Sequence, residues 1–140
     1  MVICGVELTG HDAVFALIAV EGNVWRLVDS SIRKLTLTDP SNLNDVRSFR
    51  DAINAFLQEH QVSKIAIKSR NESGKFAGGA VTFKMEGILQ LTGIGDIELL
   101  SPQTIASELR RSPVSLPDGL NRYQEEAFKT AYVASRRVVT

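Results

Sequence analysis

The chain opens with apolar runs separated by turn chemistry. Residues 2–8 (VICGVEL) are an apolar run with β-branched residues and 13–20 (AVFALIAV) are continuously apolar, with Thr9-Gly10-His11-Asp12 between them. Two such runs around a short Gly-containing turn predict a hairpin of buried strands. Glu21-Gly22-Asn23 is a second turn, because Gly and Asn tolerate the positive φ of tight hairpins. Val24 to Val28 then begins a third strand, read as continuing with a kink through Ile32 to Leu37.

The pattern changes at Asp39-Pro40-Ser41, where Pro and a capping Ser open a helix. Its apolar positions are Leu43, Val46, Phe49, Ile53, Phe56 and Leu57, spaced by threes and fours, so one stripe faces a sheet. Residues 64–68 (KIAIK) predict a short buried strand, and 69–79 (SRNESGKFAGG) a Gly-rich loop. Ala80, Phe83, Gly87 and Leu91 are read as the next helical stripe, with Gly87 allowing close approach of a neighbour. Ile97 to Leu100 is a fifth strand. Ser101-Pro102 supplies an N-cap and first helical residue for a helix to about Arg111. A Pro-rich connection (112–118) leads to a last helix from about Asn121 to Arg137. The order β-β-β-α-β-α-β-α predicts an α/β fold: a mixed five-stranded sheet, antiparallel at one side and parallel at the other, with helices on both faces.

Composition adds bounds. At 140 residues, with 44% hydrophobic and 23% charged, the chain is expected to form a single domain over residues 1–140. Sixteen basic and sixteen acidic residues cancel, so no general electrostatic pull draws it to nucleic acid or anionic membrane. No apolar run approaches the ~20 residues of a membrane span and no leader pattern is seen, so a cytoplasmic location without membrane contact is expected. Cys4, the only cysteine, lies in an apolar run and reads as a small buried hydrophobe. His11 and His60 have no helical partner or cysteine pair and read as surface residues, which disfavours zinc. Trp25 reads as a strand residue at the core. Arg110, Arg111, Arg136 and Arg137 fall in last helical turns, where the macrodipole favours them without any nucleic acid.

Two stretches carry candidate chemistry. Glu7 closes the first strand beside Gly10, Lys68 closes the KIAIK strand, and Glu126 opens the last helix ahead of Ala127, Ala131 and Ala134. Glu125 lies about 100° round the helix from Glu126 and is not expected to share its site. The second stretch is the loop, with Lys68, Arg70, Lys75 and nearby Lys84 leading into a helix start. Backbone N–H groups there favour anions, and the glycines permit close approach. The P-loop pattern GxxxxGK[ST] is broken at both ends, by Ser69 and Phe76. Solvated lysines, a phosphate or nucleotide contact, and a nucleic-acid contact all fit this loop; Phe76 suits base stacking or loop anchoring equally. Glu72 and Glu86 flank it.

The order of elements resembles the ribonuclease H-like superfamily, and within it the Holliday junction resolvase branch. That resemblance implies an acid at the end of the first strand, matched by Glu7, and a Glu at the end of the fourth, where Lys68 stands instead. It implies two acids three residues apart at the start of the last helix; Tyr123 takes the first position and Glu126 the second. Closer still, Ile3-Cys4-Gly5-Val6-Glu7, the segment Gly74 to Gly79 and Phe83-Lys84-Met85-Glu86 resemble a small bacterial family of uncharacterised proteins.

For the resolvase branch the implied chemistry is two-metal phosphodiester cleavage, with three or four carboxylates holding Mg²⁺ or Mn²⁺. Glu7 and Glu126 would be catalytic and metal-ligating. A cation at position 68 argues against this, because it repels a metal and can pair with Glu7. Three readings follow: a module that binds nucleic acid with a degenerate metal site, a Mg²⁺-dependent nuclease, and a phosphate or nucleotide binder using the 70–79 loop. An exposed third strand could pair across a two-fold axis, which leaves a homodimer open; the sequence does not decide the oligomeric state.

Overall fold

A computed structural model describes residues 1–70 and 79–138, with side chains to Arg137. The first hairpin is as the apolar runs predict. Strands β1 (Val2–Thr9) and β2 (Asp12–Glu21) pair antiparallel from Val2–Ala19 to Thr9–Asp12, around Gly10 at φ 58°. The third run divides in two. Strand β3 (Val24–Val28) pairs with the second half of β2, and β4 (Lys34–Thr36) with its first half. At ten residues β2 is long enough to carry both along one edge, so the kinked continuation becomes a sixth, short strand.

Helix α1 spans Leu43–Glu59. Its cap is Asn42, whose side chain accepts from Asp45 N at 3.0 Å, rather than Ser41. Phe49, Ile53, Phe56 and Leu57 are buried as expected, while Leu43 in the first turn is 59% exposed. Strand β5 (Lys64–Lys68) runs parallel to β1, and β6 (Ile97–Leu100) parallel to β5. Between them α2 (Ala80–Gln90) buries Thr82, Met85 and Leu89, not the Ala80–Phe83–Gly87–Leu91 stripe. Leu91 caps the helix end and is 87% exposed, and a methyl group added at Gly87 would meet nothing within 4 Å. The buried stripe runs through Thr82, which reads as polar in the sequence; its hydroxyl donates to Gly79 O at 2.6 Å and is buried satisfied. Helix α3 (Pro102–Arg111) is capped by Ser101, and α4 (Glu125–Val138) follows a 3-10 turn at Arg122–Gln124.

The result is a mixed sheet of order β3-β2-β1-β5-β6 with helices on both faces, the predicted α/β class. On one face α1 and α2 cover Cys4, Val6, Leu8, Phe15, Ile65 and Ile67, with Phe15 stacked on Phe56 at 4.7 Å. Burial pushes the Cys4 thiol far above its ordinary pKa, so it stays an inert thiol. On the other face α4 and α3 cover Ile3, Val14, Ile18 and Ala66, and Trp25 packs on Phe128 at 5.2 Å. His11 is exposed, whereas His60 is half-buried against Phe56 and Ser30. Among the described residues no helix is long and apolar enough to cross a membrane.

One contact fixes how closely α4 lies on the sheet. A Cβ added at Gly5 would sit 2.0 Å from the Ala127 carbonyl oxygen and 2.8 Å from Ala131 Cβ. Glycine in β1 and alanines at 127, 131 and 134 together let helix and strand backbones touch. That close seat carries the first turn of α4 to the carboxyl ends of β1 and β5.

Candidate functional site at the carboxyl ends of β1 and β5

Strand alternation decides which side chains meet. Gly5 and Glu7 of β1, and Lys64, Ala66 and Lys68 of β5, point to the α4 face. Glu7 and Lys68 each lie one residue beyond the paired Val6 and Ile67, at the end where parallel strands of an open sheet leave a crevice for ligands. The 3-10 turn is pinned above them. Gln124 is buried; its Nε2 donates to Phe15 O at 2.8 Å and its Oε1 accepts from Asn121 N at 3.0 Å.

Lys68 settles on the helix. Its Nζ donates to Glu126 Oε1 at 2.8 Å, and Lys129 Nζ holds Glu126 Oε2 at 3.3 Å. The expected Lys68–Glu7 ion pair is thus replaced by Lys68–Glu126, because the seat of α4 brings Glu126 within reach first. The hydrogen bond from Lys68 outweighs partial burial and holds the Glu126 carboxyl below its ordinary pKa. Glu7 is shifted the other way. Burial raises its pKa above the ordinary 4.5; Lys68 and Arg70 at longer range oppose the rise, and the charge on Glu126 reinforces it. Among the described residues no ion pair or hydrogen bond engages the Glu7 carboxylate.

An open cleft of about 290 Å³ lies over Glu7 and Glu126, with Glu125, Asp12 and buried Val14 completing its inner wall and exposed Thr9 at its edge. Glu125 therefore does share the cleft with Glu126, since the first turn of α4 forms its wall rather than a single projecting edge. Lys34, Arg122 and Tyr123 form the exposed lip, with Lys34 Nζ 5.5 Å from the Tyr123 ring centroid. Asp12 accepts a hydrogen bond from Thr36 Oγ1 at 2.5 Å.

The expected basic cluster is only partly placed. Lys68 reaches Glu126, and Arg70 acts on Glu7. Lys84 is an α2 residue that donates to Pro40 O and does not line the cleft. Lys75, with Glu72 and Phe76, lies outside the described residues. Sequence reasoning missed Asp12, Lys34 and Arg122, which come from the first residue of β2, a three-residue strand and a pre-helical turn; Tyr123 stands in the sequence only as the replacement of an expected acid.

A two-metal centre needs converging carboxylates. Among the described residues no group of three or more His, Cys, Asp or Glu side chains could hold a metal ion. The Lys68 ammonium occupies Glu126, so this donor set does not fit a Mg²⁺ or Mn²⁺ pair.

A family model described as "Protein of unknown function (DUF3010)" matches residues 1–134, and the chain belongs to that family. No curated protein matches. Among solved structures, the chain is similar to Thermus thermophilus RuvC at TM-score 0.74 and 13% identity, covering 99% of this chain and 96% of that one. It is also similar to T. thermophilus RuvC in complex with Holliday junction substrate (TM-score 0.72, 15% identity, 99% and 98% covered). Fowlpox virus resolvase in complex with substrate Holliday junction DNA matches at TM-score 0.62 and 10% identity over the whole of both chains. These likenesses show a shared fold, the α/β arrangement that the order of elements implied.

Proposed function

We propose that this domain binds nucleic acid at the carboxyl ends of β1 and β5 and does not cleave it, with the Lys68 ammonium standing where a metal ion would be needed. The observation that carries the reading is the 2.8 Å contact from Lys68 Nζ to Glu126 Oε1. A fixed monovalent cation neutralises one acid, yet it has no open coordination sites with which to polarise a phosphate or bind a water. The likeness to two resolvases solved with Holliday junction DNA supports a branched or strand-separated ligand. Lys34, Arg122 and Arg70 are the cations near the cleft suited to the backbone.

Fluorescence anisotropy with a labelled four-way junction and its linear duplex, in EDTA and in millimolar Mn²⁺, tests this. The expected outcome is salt-sensitive binding that favours the junction, is indifferent to EDTA, and leaves the strands intact on a denaturing gel. Mn²⁺-dependent cleavage would establish the nuclease alternative, and absence of binding to either DNA would end the reading.

A further inference from the structure

The charge of the cleft is graded from lip to floor. At the lip Tyr123 is 47% exposed, with Lys34 at its ring and Arg122 beside it. The inner wall is acidic and half-buried. Glu126 is already engaged through both oxygens, by Lys68 and Lys129, whereas Glu7 has no such partner among the described residues.

That grading excludes a phosphate from the floor. An anion moving inward past the lip would approach carboxylates on several sides in a partly desolvated space, where repulsion is least screened. An uncharged heterocycle meets no such barrier. Its face suits the Tyr123 ring, and stacking on an aromatic side chain suits every base. Its edge must then satisfy a carboxylate, which only accepts hydrogen bonds.

The bases differ on this point. Guanine presents two adjacent donors, N1–H and the N2 amine, which match the two oxygens of one carboxylate. Adenine and cytosine present a single amine beside an acceptor nitrogen that would face the carboxylate. Thymine and uracil present one N–H flanked by two carbonyl oxygens. A volume near 290 Å³ suits one nucleoside rather than a base pair.

We propose that the cleft captures a single unpaired guanine, stacked on Tyr123 with its N1–H and N2 amine against Glu7 and its flanking phosphates left at Lys34 and Arg122. The inference rests on the nucleic-acid reading only for the source of that base, a branch point or single strand whose Watson–Crick edges are free.

Free nucleosides separate the pocket from the polymer. Titration of the whole protein with guanosine, inosine and adenosine, followed by amide NMR shifts at Glu7, Tyr123 and Glu125, is expected to show guanosine binding about tenfold tighter than inosine, which lacks the N2 amine. Tyr123→Ala, at an exposed position, should weaken guanosine about tenfold. Glu7→Gln should abolish the guanosine–inosine difference.

If junction DNA binds while guanosine, inosine and adenosine bind alike or not at all, the guanine pocket is wrong and the nucleic-acid reading stands. If guanosine is selected but no DNA binds, the pocket stands and the polymer reading falls. If spermidine displaces guanosine and binds through Glu7 more tightly, the floor is a general cation site and the proposal is overturned.

Discussion

Helix α4 is tied to the parallel strands at both ends by the same device, a carboxylate held between two cations, to β5 at one end and through Glu98 of β6 at the other, yet the two ends differ in what is left over. At the far end Glu98 lies between Lys64, 3.1 Å away, and Arg137, 2.9 Å away, with Asp96 3.8 Å from Lys64 as an outer partner. The Lys64 contact is an ion pair without an aligned hydrogen bond to Glu98 Oε1. Burial would raise the Glu98 pKa, but Arg137 and Lys64 outweigh it and hold the carboxyl below its ordinary value. At the near end Glu126 lies between Lys68 and Lys129 in the same way, but the additional acid, Glu7, is half-buried and has no cation in contact among the described residues. The far end is a closed clamp. Each end balances two cations against two acids, but at the near end the second acid, Glu7, faces a cleft with no contacting cation among the described residues, and only Lys68 and Arg70 at longer range favour its charge.

The largest effect should come from the contact both ends share. Gly5→Ala would drive a methyl group into the Ala127 carbonyl and is expected to cost about 3 kcal/mol or more in urea unfolding. A loss under about 1 kcal/mol would mean that α4 can lift from the sheet, and the near-end geometry with it.

Next come the two lysines of β5. Lys64, with its side chain 8% exposed, sits in the closed clamp, so Lys64→Met should cost roughly 2 kcal/mol even with Arg137 left on Glu98. Lys68→Met, where the pair is 22% and 38% exposed, should cost about 1 kcal/mol or less because solvent screens it. Only Lys68→Met should gain a rise in melting temperature with Mn²⁺, since it leaves Glu7 and Glu126 to share a cation. A Mn²⁺ response in the parent chain, or none in Lys68→Met, would dissolve the distinction between the two ends.

The smallest effects should have opposite signs. The folded pKa of Glu7 is raised, so its ionised form opposes folding and stability falls as pH rises through that raised value. Glu7→Gln should therefore raise the melting temperature at neutral pH, with the gain vanishing below pH 4.5, where both states are protonated. The folded pKa of Glu126 is lowered, so its contribution is present above 4.5 and is lost as pH falls through the lowered value. Glu126→Gln should cost less than about 1 kcal/mol at neutral pH, after screening of a side chain more than a third exposed, and nothing in strong acid. Shifts of the same sign for the two variants would overturn the assignment of Glu7 as the acid without a contacting cation.

Much of the fold was legible because burial on both faces leaves continuous apolar strands, as in 2–8 and 13–20, and because Ser101-Pro102 is local chemistry. The phase of α2 was not, since a buried, satisfied Thr82 carries a polar label, and the split of the third run depended on the length of β2. The sequence carries a signal for the seat of α4: glycine at position 5 inside an apolar strand, set against alanines at 127, 131 and 134. The site was legible as far as Glu7, Lys68 and Glu126, each marked by its place at the end of an element. Asp12, Lys34 and Arg122 carried no such mark.

By itself the sequence determined the order of elements, the two apolar faces of the sheet, and the replacement of an expected acid by Lys68, because periodicity and residue identity are properties of neighbours along the chain. Which acid Lys68 would hold was decided only by tertiary structure. Positions 68 and 126 are 58 residues apart, and their meeting depends on how far a helix can settle onto a strand that has no side chain at Gly5.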